Sequence, residues 1–572
     1  MAAGVSGGRS GRTGEGPVGR VAALCLALLL ALTGCSLVSG TPRATASRRG
    51  TATATSTGAI PAAASATVAT MATLPPAPTS TQPPTPAPTA TTAASPAAGA
   101  TPTSGVALCH PAPPLPGLAA APARPVSPIA PGGTPPPPRQ TPPTIPLPRL
   151  DARYTLAIDD VRFDSGHLRA RETIQATNRE DCALDRLFLS VTAARWGWFT
   201  LDGARVDGQP VMAVVGGTVL PVALARPLRP GATATLAFDF HLDVGTADDP
   251  YTPDGFAGTT KAADILRLAY WFPILSDDHQ YPPFLDPPYT ATADYDVTLT
   301  APADLVVAHT GVDAGDQPNA DGTVTRHITA PRVRDFVLSL SSDYKILRGA
   351  AANGVAVEVY YSPRSFPDAA TAERQARAAL DAGAAAIARL SALIGPYPYP
   401  IFRIADGGAG LGGGIEFPML VSVNLNGSGV APLVYHETAH QWLYGILGTR
   451  TQQDPWIDEG GASFLAAYLG GTLPATPPGP ERFRYPLDIA VWQVPAGGSQ
   501  AAAYQAIYDQ GEAFYQRVRL AMGDDNFWAA LQALYRDDRY GIITPRDLLA
   551  HWQAHSPVDL TPIFREYVPS DE

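Results

Sequence analysis

The chain has 572 residues, 45% of them hydrophobic, which is material for two or three domains; its 60 prolines are spread so unevenly that part of it cannot pack a core. The net charge is −11, Lys261 and Lys345 are the only lysines, and no basic stripe with interleaved aromatics occurs, which excludes nucleic acid as a partner. Four cysteines are too few for a disulfide framework and are not spaced as a metal cage.

Arg9, Arg12 and Arg20 precede the apolar run Val21 to Leu32, so residues 1–34 read as a secretory signal, too short to span a bilayer comfortably. The run ends in Leu32-Thr33-Gly34-Cys35, which resembles a bacterial lipobox and implies lipidation at Cys35; the alternative is an ordinary signal with a chance cysteine. The expectation is an extracytoplasmic lipoprotein held to the membrane by its N-terminus. Residues 35–147 are mostly Ala, Thr, Pro and Ser, as in Pro135 to Pro138, and predict a disordered, partly extended tether. Cys109 lies in the tether and Cys182 beyond it. A disulfide between them and two separate thiols both remain open.

Residues 148–347 alternate apolar and polar over short runs, Tyr154 to Ile158, Leu187 to Val191, Ala234 to Leu242, Tyr295 to Leu299 and Phe336 to Leu340, separated by Gly- and Asp-rich turns. This predicts a β-sandwich-like domain. From 348 the pattern turns to α+β. A strand at Val355 to Tyr360 precedes the alanine-rich helix Ala369 to Leu393, stopped by Gly395 and the prolines that follow. A strand at Phe402 to Ala405 leads into the glycine-rich loop Gly407 to Gly414, followed by an apparent strand, Phe417 to Val423. No Lys-Ser/Thr follows those glycines, so they are not a phosphate cradle; Gly413 and Gly414 fit a backbone that must approach a ligand closely.

Val434 to Trp442 contains His-Glu-x-x-His without glycine or proline. Helical residues four apart lie about 40° apart around the axis, so His436 and His440 can address one ion with Glu437 beside them. A third ligand is available in Glu459, nineteen positions beyond His440, where a second apolar stretch begins. Two imidazoles and a carboxylate leave one tetrahedral position open, the pattern of a catalytic rather than a structural zinc, and one Zn2+ per chain is expected. Beyond it, Tyr504 to Met522, Asp525 to Tyr535, Pro545 to His555 and Leu560 to Tyr567 read as helices.

Four motifs together resemble the gluzincin metallopeptidases of the membrane alanyl aminopeptidase (aminopeptidase N) family. Gly413-Gly414-Ile415-Glu416-Phe417-Pro418 is similar to the family's Gly-x-Met-Glu-Asn segment, and His436 to Trp442 to its zinc helix. Trp456-Ile457-Asp458-Glu459-Gly460 is similar to Trp-Leu-Asn-Glu-Gly, and Tyr508-Asp509-Gln510-Gly511 to Tyr-x-Lys-Gly. The resemblance implies a β domain ahead of a thermolysin-like catalytic domain, with Tyr270 to Pro273 and Arg334-Asp335-Phe336 as landmarks of the first. It implies zinc-promoted peptide hydrolysis with Glu437 as general base and later acid, Tyr508 as donor to the oxyanion, and Glu416 as partner of the substrate's α-amine. The residues alone also allow Tyr508 to be a packing tyrosine, with Tyr504 and Tyr515 close by, and Glu416 to be a solvated turn carboxylate. Phe417 stands where the family has Asn, and Tyr444-Gly445 where many members have Gly-Asn. An aminopeptidase is expected, with an endopeptidase of the same fold or a non-enzymatic surface binding lipoprotein as alternatives.

Overall fold

The computed structural model describes residues 107–109, 146–245, 260–261, 264–280, 289–408, 411, 413–489, 493–494 and 498–568. The signal peptide, Cys35 and all of the tether except 107–109 and its last residues lie outside them.

The first half of the described chain is sheet. Eight strands lie in the order Val312–Pro318, Thr323–Val333, Ala293–Pro302, Leu150–Arg162, His167–Asn178, Thr233–Asp243, Phe199–Val206, Gln209–Pro210. Pairing is antiparallel except between Leu150–Arg162 and Ala293–Pro302, which run parallel. The period-2 pattern of His167–Asn178 puts Leu168, Ala170, Ile174 and Ala176 inward and Arg169, Arg171 and Gln175 outward. A three-stranded sheet (Ile274–Ser276, Leu184–Ser190, Val219–Leu228) and a four-stranded sheet (Val306–His309, Leu338–Ser341, Leu266–Leu268, Thr260–Lys261) complete the layers. Leu156 and Ile174 of the long sheet, Leu189 of the second and Leu338 of the third share one core, as the sandwich-like expectation requires.

Cys109 and Cys182 form a disulfide. The backbone reinforces it: Cys109 N–H donates to Ala183 O at 3.0 Å and Ala183 N–H to Ala107 O at 2.9 Å.

The second sheet region has five strands in the order Lys345–Ala350, Ala356–Tyr361, Ile401–Asp406, Leu420–Val423, Gly414–Phe417. The boundary expected at 347/348 therefore falls inside a strand; Lys345–Ala350 pairs along its whole length with Ala356–Tyr361 and belongs to the later unit. Helix α1 (Ala369–Leu393) opens with Asp368, whose carboxylate accepts the Thr371 N–H at 2.7 Å, and its small inner face (Ala372, Ala376, Ala379) lets it lie flat on this sheet. A Cβ at Gly383 would stand 2.7 Å from Ile404 Cδ1, so that approach needs glycine.

Helix α2 (Val430–Ala439) packs against α1 and against α3 (Gly461–Gly470). The helix expected to run through Trp442 ends at Ala439, with His440 as its C-cap. The chain then widens through π-type bonds spanning five residues: Gly445 N–H to His440 O, Ile446 N–H to Gln441 O and Leu447 N–H to Trp442 O. Phe417–Val423, expected as one strand, is a hairpin turning at Pro418-Met419, with Met419 at φ 64°. The region expected as one helix from Tyr504 is α4 (Gln500–Gln505), a π-helical turn at Ala506–Gln510, and α5 (Gly511–Met522). Helices α6 (Asp524–Asp538), α7 (Pro545–His555) and α8 (Thr561–Tyr567) close the chain. Among the described residues no helix is long and apolar enough to cross a membrane.

Candidate metal centre

Three elements converge. Helix α2 carries His436 and Glu437 and ends on His440; the π-helical turn Trp456–Gly460 carries Glu459; the hairpin Gly414–Phe417/Leu420–Val423 carries Glu416. A second π-helical turn, Ala506–Gln510, carries Tyr508. The two π turns meet at Gly460 and Gly511, where a Cβ on either would stand 2.5–2.7 Å from the other's Cα. Only paired glycines allow that contact, and the widened turns it joins aim Glu459 and Tyr508 at the same side of α2.

The three expected ligand atoms are already gathered. His436 Nε2 is 3.0 Å from Glu459 Oε2, His440 Nε2 is 3.4 Å from the same oxygen, and the two Nε2 atoms are 3.2 Å apart. Ligands on a tetrahedral zinc with bonds of about 2.0–2.1 Å are separated by roughly 3.3–3.4 Å, so these atoms fit that ion without rearrangement. His440 Nδ1 faces Leu443 O at 3.2 Å, a contact that holds its ring and leaves Nε2 for the metal.

Charge gives a second test of fit. Glu416, Glu437, Asp458 and Glu459 are all at least 96% buried around the two imidazoles. Burial pushes the Glu437 carboxyl well above the usual range, with Glu416 adding to the effect, and pushes Glu416 up to about 8. Burial acts the same way on Glu459, but the His440 charge and hydrogen bonds from both imidazoles overcome it and hold that carboxyl low. Burial raises Asp458 to about 7; the Thr449 hydroxyl donates to its Oδ2, and its Oδ1 accepts the Glu459 N–H at 3.0 Å. So many carboxylates in a dry site call for a compact dication.

On the other side of His440, ligand atoms of Glu416, Glu437 and His440 lie within 4.8 Å of one another. A Cβ at Gly414 would stand 2.4 Å from Glu437 Oε1, so the close backbone approach expected of the glycine loop is made to this carboxylate. Gly413 has open space where a Cβ would point, and its carbonyl accepts the Asn424 N–H at 2.8 Å.

The Tyr508 ring lies parallel to His436, with centroids 5.8 Å apart and 14° between planes, and is half-buried. Tyr515, the nearby alternative, is fully enclosed, and its hydroxyl donates to Ile457 O at 2.7 Å. It is a packing residue. Glu416 is 3% exposed, which rules out a solvated turn carboxylate.

Gln441 escaped the sequence reading. Its Nε2 donates to Phe417 O at 2.9 Å and its Oε1 accepts the Met419 N–H at 2.8 Å, so the residue after the second histidine clamps the Glu416 hairpin to α2. Its signal was an amide followed by the apolar Trp442-Leu443.

No protein-family model matches the chain. Human aminopeptidase N is 26% identical over 202 residues, 31% of this chain, and the match spans only a fifth of that protein's length. Among solved structures, the M1 zinc metallopeptidase of Deinococcus radiodurans aligns at TM-score 0.55 with 21% identity, over 74% of this chain and 94% of that one. The chain has the M1 zinc metallopeptidase fold. A mutant form of the Deinococcus radiodurans enzyme bound to a Tyr-Ser-Ala substrate aligns at TM-score 0.53 and 21% identity over 73% of this chain and 94% of that one, and a two-domain M1 zinc metallopeptidase bound to L-tryptophan at 0.54 and 21% over the same shares. The M1 fold accounts for the sheet-rich unit ahead of the helical one, and the aminopeptidase N-like resemblance of the four motifs stands with it.

Proposed function

We propose that this chain is a zinc metallopeptidase that removes residues from the N-termini of peptides. The observation that carries the reading is the pairing of a preformed His436–His440–Glu459 donor set with two further buried carboxylates, Glu437 and Glu416, grouped around His440. A zinc held by the three donors supplies Lewis acidity toward the scissile carbonyl and its attacking water.

The remaining steps belong to side chains. Glu437, with a carboxyl raised by burial, is suited to take the proton of the attacking water, hold it, and give it to the departing amine. Gly414 keeps the backbone against that carboxylate. Glu416 meets the α-ammonium, which places the cleavage point next to the N-terminus; the cation offsets a carboxylate that is costly to ionise alone. Tyr508, over the outer face of His436, is the donor toward the developing oxyanion.

We also propose the place of action. The lipobox-like Leu32-Thr33-Gly34-Cys35 and the 35–147 tether suit a mature chain anchored through Cys35, its catalytic part held off an extracytoplasmic membrane face. The Cys109–Cys182 disulfide supports an oxidising compartment. Cys35→Ala is expected to move the protein from the membrane to the soluble fraction; unchanged fractionation overturns this anchor.

The activity is tested with a panel of aminoacyl fluorogenic substrates and their N-acetylated counterparts. Free-amine substrates should be turned over and blocked ones should not. Efficient cleavage of blocked peptides would replace the exopeptidase reading with an endopeptidase one.

A further inference from the structure

The turn that follows Glu416 is held from outside its own hairpin. Phe417 pairs with Leu420, so Pro418 stands second in the turn and Met419 third, at φ 64°. That is the order of a type II turn, whose third position favours glycine or asparagine. A bulky residue keeps a left-handed conformation where its surroundings over-determine it.

Four backbone groups of this buried turn are each met by another element. Just past the end of α2, Gln441 takes the Phe417 carbonyl and the Met419 N–H. The Met419 carbonyl accepts the Arg403 N–H at 2.9 Å, from the strand Ile401–Asp406. The fourth group, the Pro418 carbonyl, accepts the Thr310 hydroxyl at 3.0 Å.

Thr310 comes from the sheet-rich unit, directly after the strand Val306–His309, and is fully buried. Its N–H donates to Val337 O at 3.0 Å and its hydroxyl oxygen accepts the Val337 N–H at 3.2 Å. With that oxygen accepting from Val337, the hydroxyl proton is left for Pro418. Arg403, whose N–H holds Met419, also fixes the residues on either side of Thr310: its Nη1 donates to the His309 carbonyl at 2.9 Å and the Gly311 carbonyl at 2.6 Å. Tyr270 of the same unit packs edge-on against the Phe417 ring, with centroids 5.7 Å apart.

We infer that Thr310 is a positioning residue for N-terminus recognition. Its hydroxyl holds the turn two residues beyond Glu416 from the sheet-rich unit, as Gln441 holds it from the metal side, and so keeps the Glu416 carboxylate within 4.8 Å of a ring nitrogen of His440. Without it a buried carbonyl loses its partner, and the turn must shift to find another. The inference rests on the aminopeptidase reading above.

Thr310→Val keeps the shape and removes the hydroxyl. In the zinc-loaded full chain, KM for free-amine aminoacyl substrates should rise about tenfold while kcat changes less than about twofold. Thr310→Ser should restore a parent-like KM. Thr310→Cys, a weaker donor of similar size, should raise KM about threefold, and it carries the test if Thr310→Val does not fold. Because the effect runs through Glu416, Thr310→Val placed on Glu416→Gln should raise KM less than about twofold further. A parent-like KM in folded Thr310→Val or Thr310→Cys, or an equal rise with and without Glu416, overturns the inference alone. A parent enzyme with no preference for free amines over N-acetylated substrates overturns the aminopeptidase reading and the inference with it.

Discussion

Gly414→Ala separates the proposed base from the fold that carries it. The added Cβ would meet Glu437 Oε1 at 2.4 Å, Cδ at 2.5 Å and Cγ at 2.6 Å. Carbon–oxygen contacts settle near roughly 3.3–3.6 Å, so about 1 Å of relief is needed. Everything struck is the far end of one side chain, and the Gly414 φ is not in the left-handed range, so the carboxylate moves and the backbone stays. A misplacement of about 1 Å at a reacting group costs on the order of a hundredfold. The ligand atoms of His436, His440 and Glu459 are not touched. We therefore expect kcat to fall about a hundredfold on aminoacyl substrates, with zinc stoichiometry and melting temperature close to the parent's. Parent-like kcat in a fully metallated Gly414→Ala protein would refute the placement of Glu437 as the base.

Tyr508→Phe and Tyr515→Phe should part company. The first is expected to lose about a hundred- to a thousandfold in kcat with unchanged stability, and the second to lose roughly 1–2 kcal/mol of stability through the orphaned Ile457 carbonyl with kcat per folded molecule retained; steady-state kinetics beside urea unfolding distinguishes them. Asp335 gives a pH signature, since burial lifts its carboxyl from 3.8 to about 7. The folded state then binds that proton more tightly than the unfolded one, so stability falls as pH rises from about 4 to about 7 and levels off above. Asp335→Asn should flatten that slope and stabilise the protein at pH 8 by at most on the order of 4 kcal/mol, read from unfolding at pH 5 and pH 8; an unchanged slope would contradict burial as the cause of the raised carboxyl.

What could be read from residues alone follows from which contacts are local. The period of α2 and the alternation of His167–Asn178 are properties of adjacent residues, so the ligand helix and the strands were legible. The end of helix α1 was legible because Gly395-Pro396 is a local signal, while the Asp368 cap at its start became visible only in the structure. The turn inside Phe417–Val423 was hidden because Pro418-Met419 interrupts a run apolar throughout, and Gln441 rather than local propensity holds the hairpin. The π turn at Ala506–Gln510 was equally hidden, since it answers to the Gly460–Gly511 contact between segments fifty residues apart. Beyond the early end of α2, the Tyr444 conformation is held by a local bond to Leu447 and a tertiary bond from Arg334, and the second of these no sequence pattern shows. The Cys109–Cys182 pairing could not be chosen over separate thiols until Leu108 was seen to bridge Ala183. In the centre itself, the residue types were legible and their burial was not, and burial is what distinguishes Glu416 from a surface carboxylate.

The most direct measurement is metal content against activity for the parent and His440→Ala. The parent should carry one zinc per chain, lose aminoacyl hydrolysis on chelation and regain it when zinc is restored. His440→Ala, left with two of three donors, should retain no stoichiometric zinc and no hydrolysis. One zinc per chain with full activity in His440→Ala would contradict the assignment of the centre.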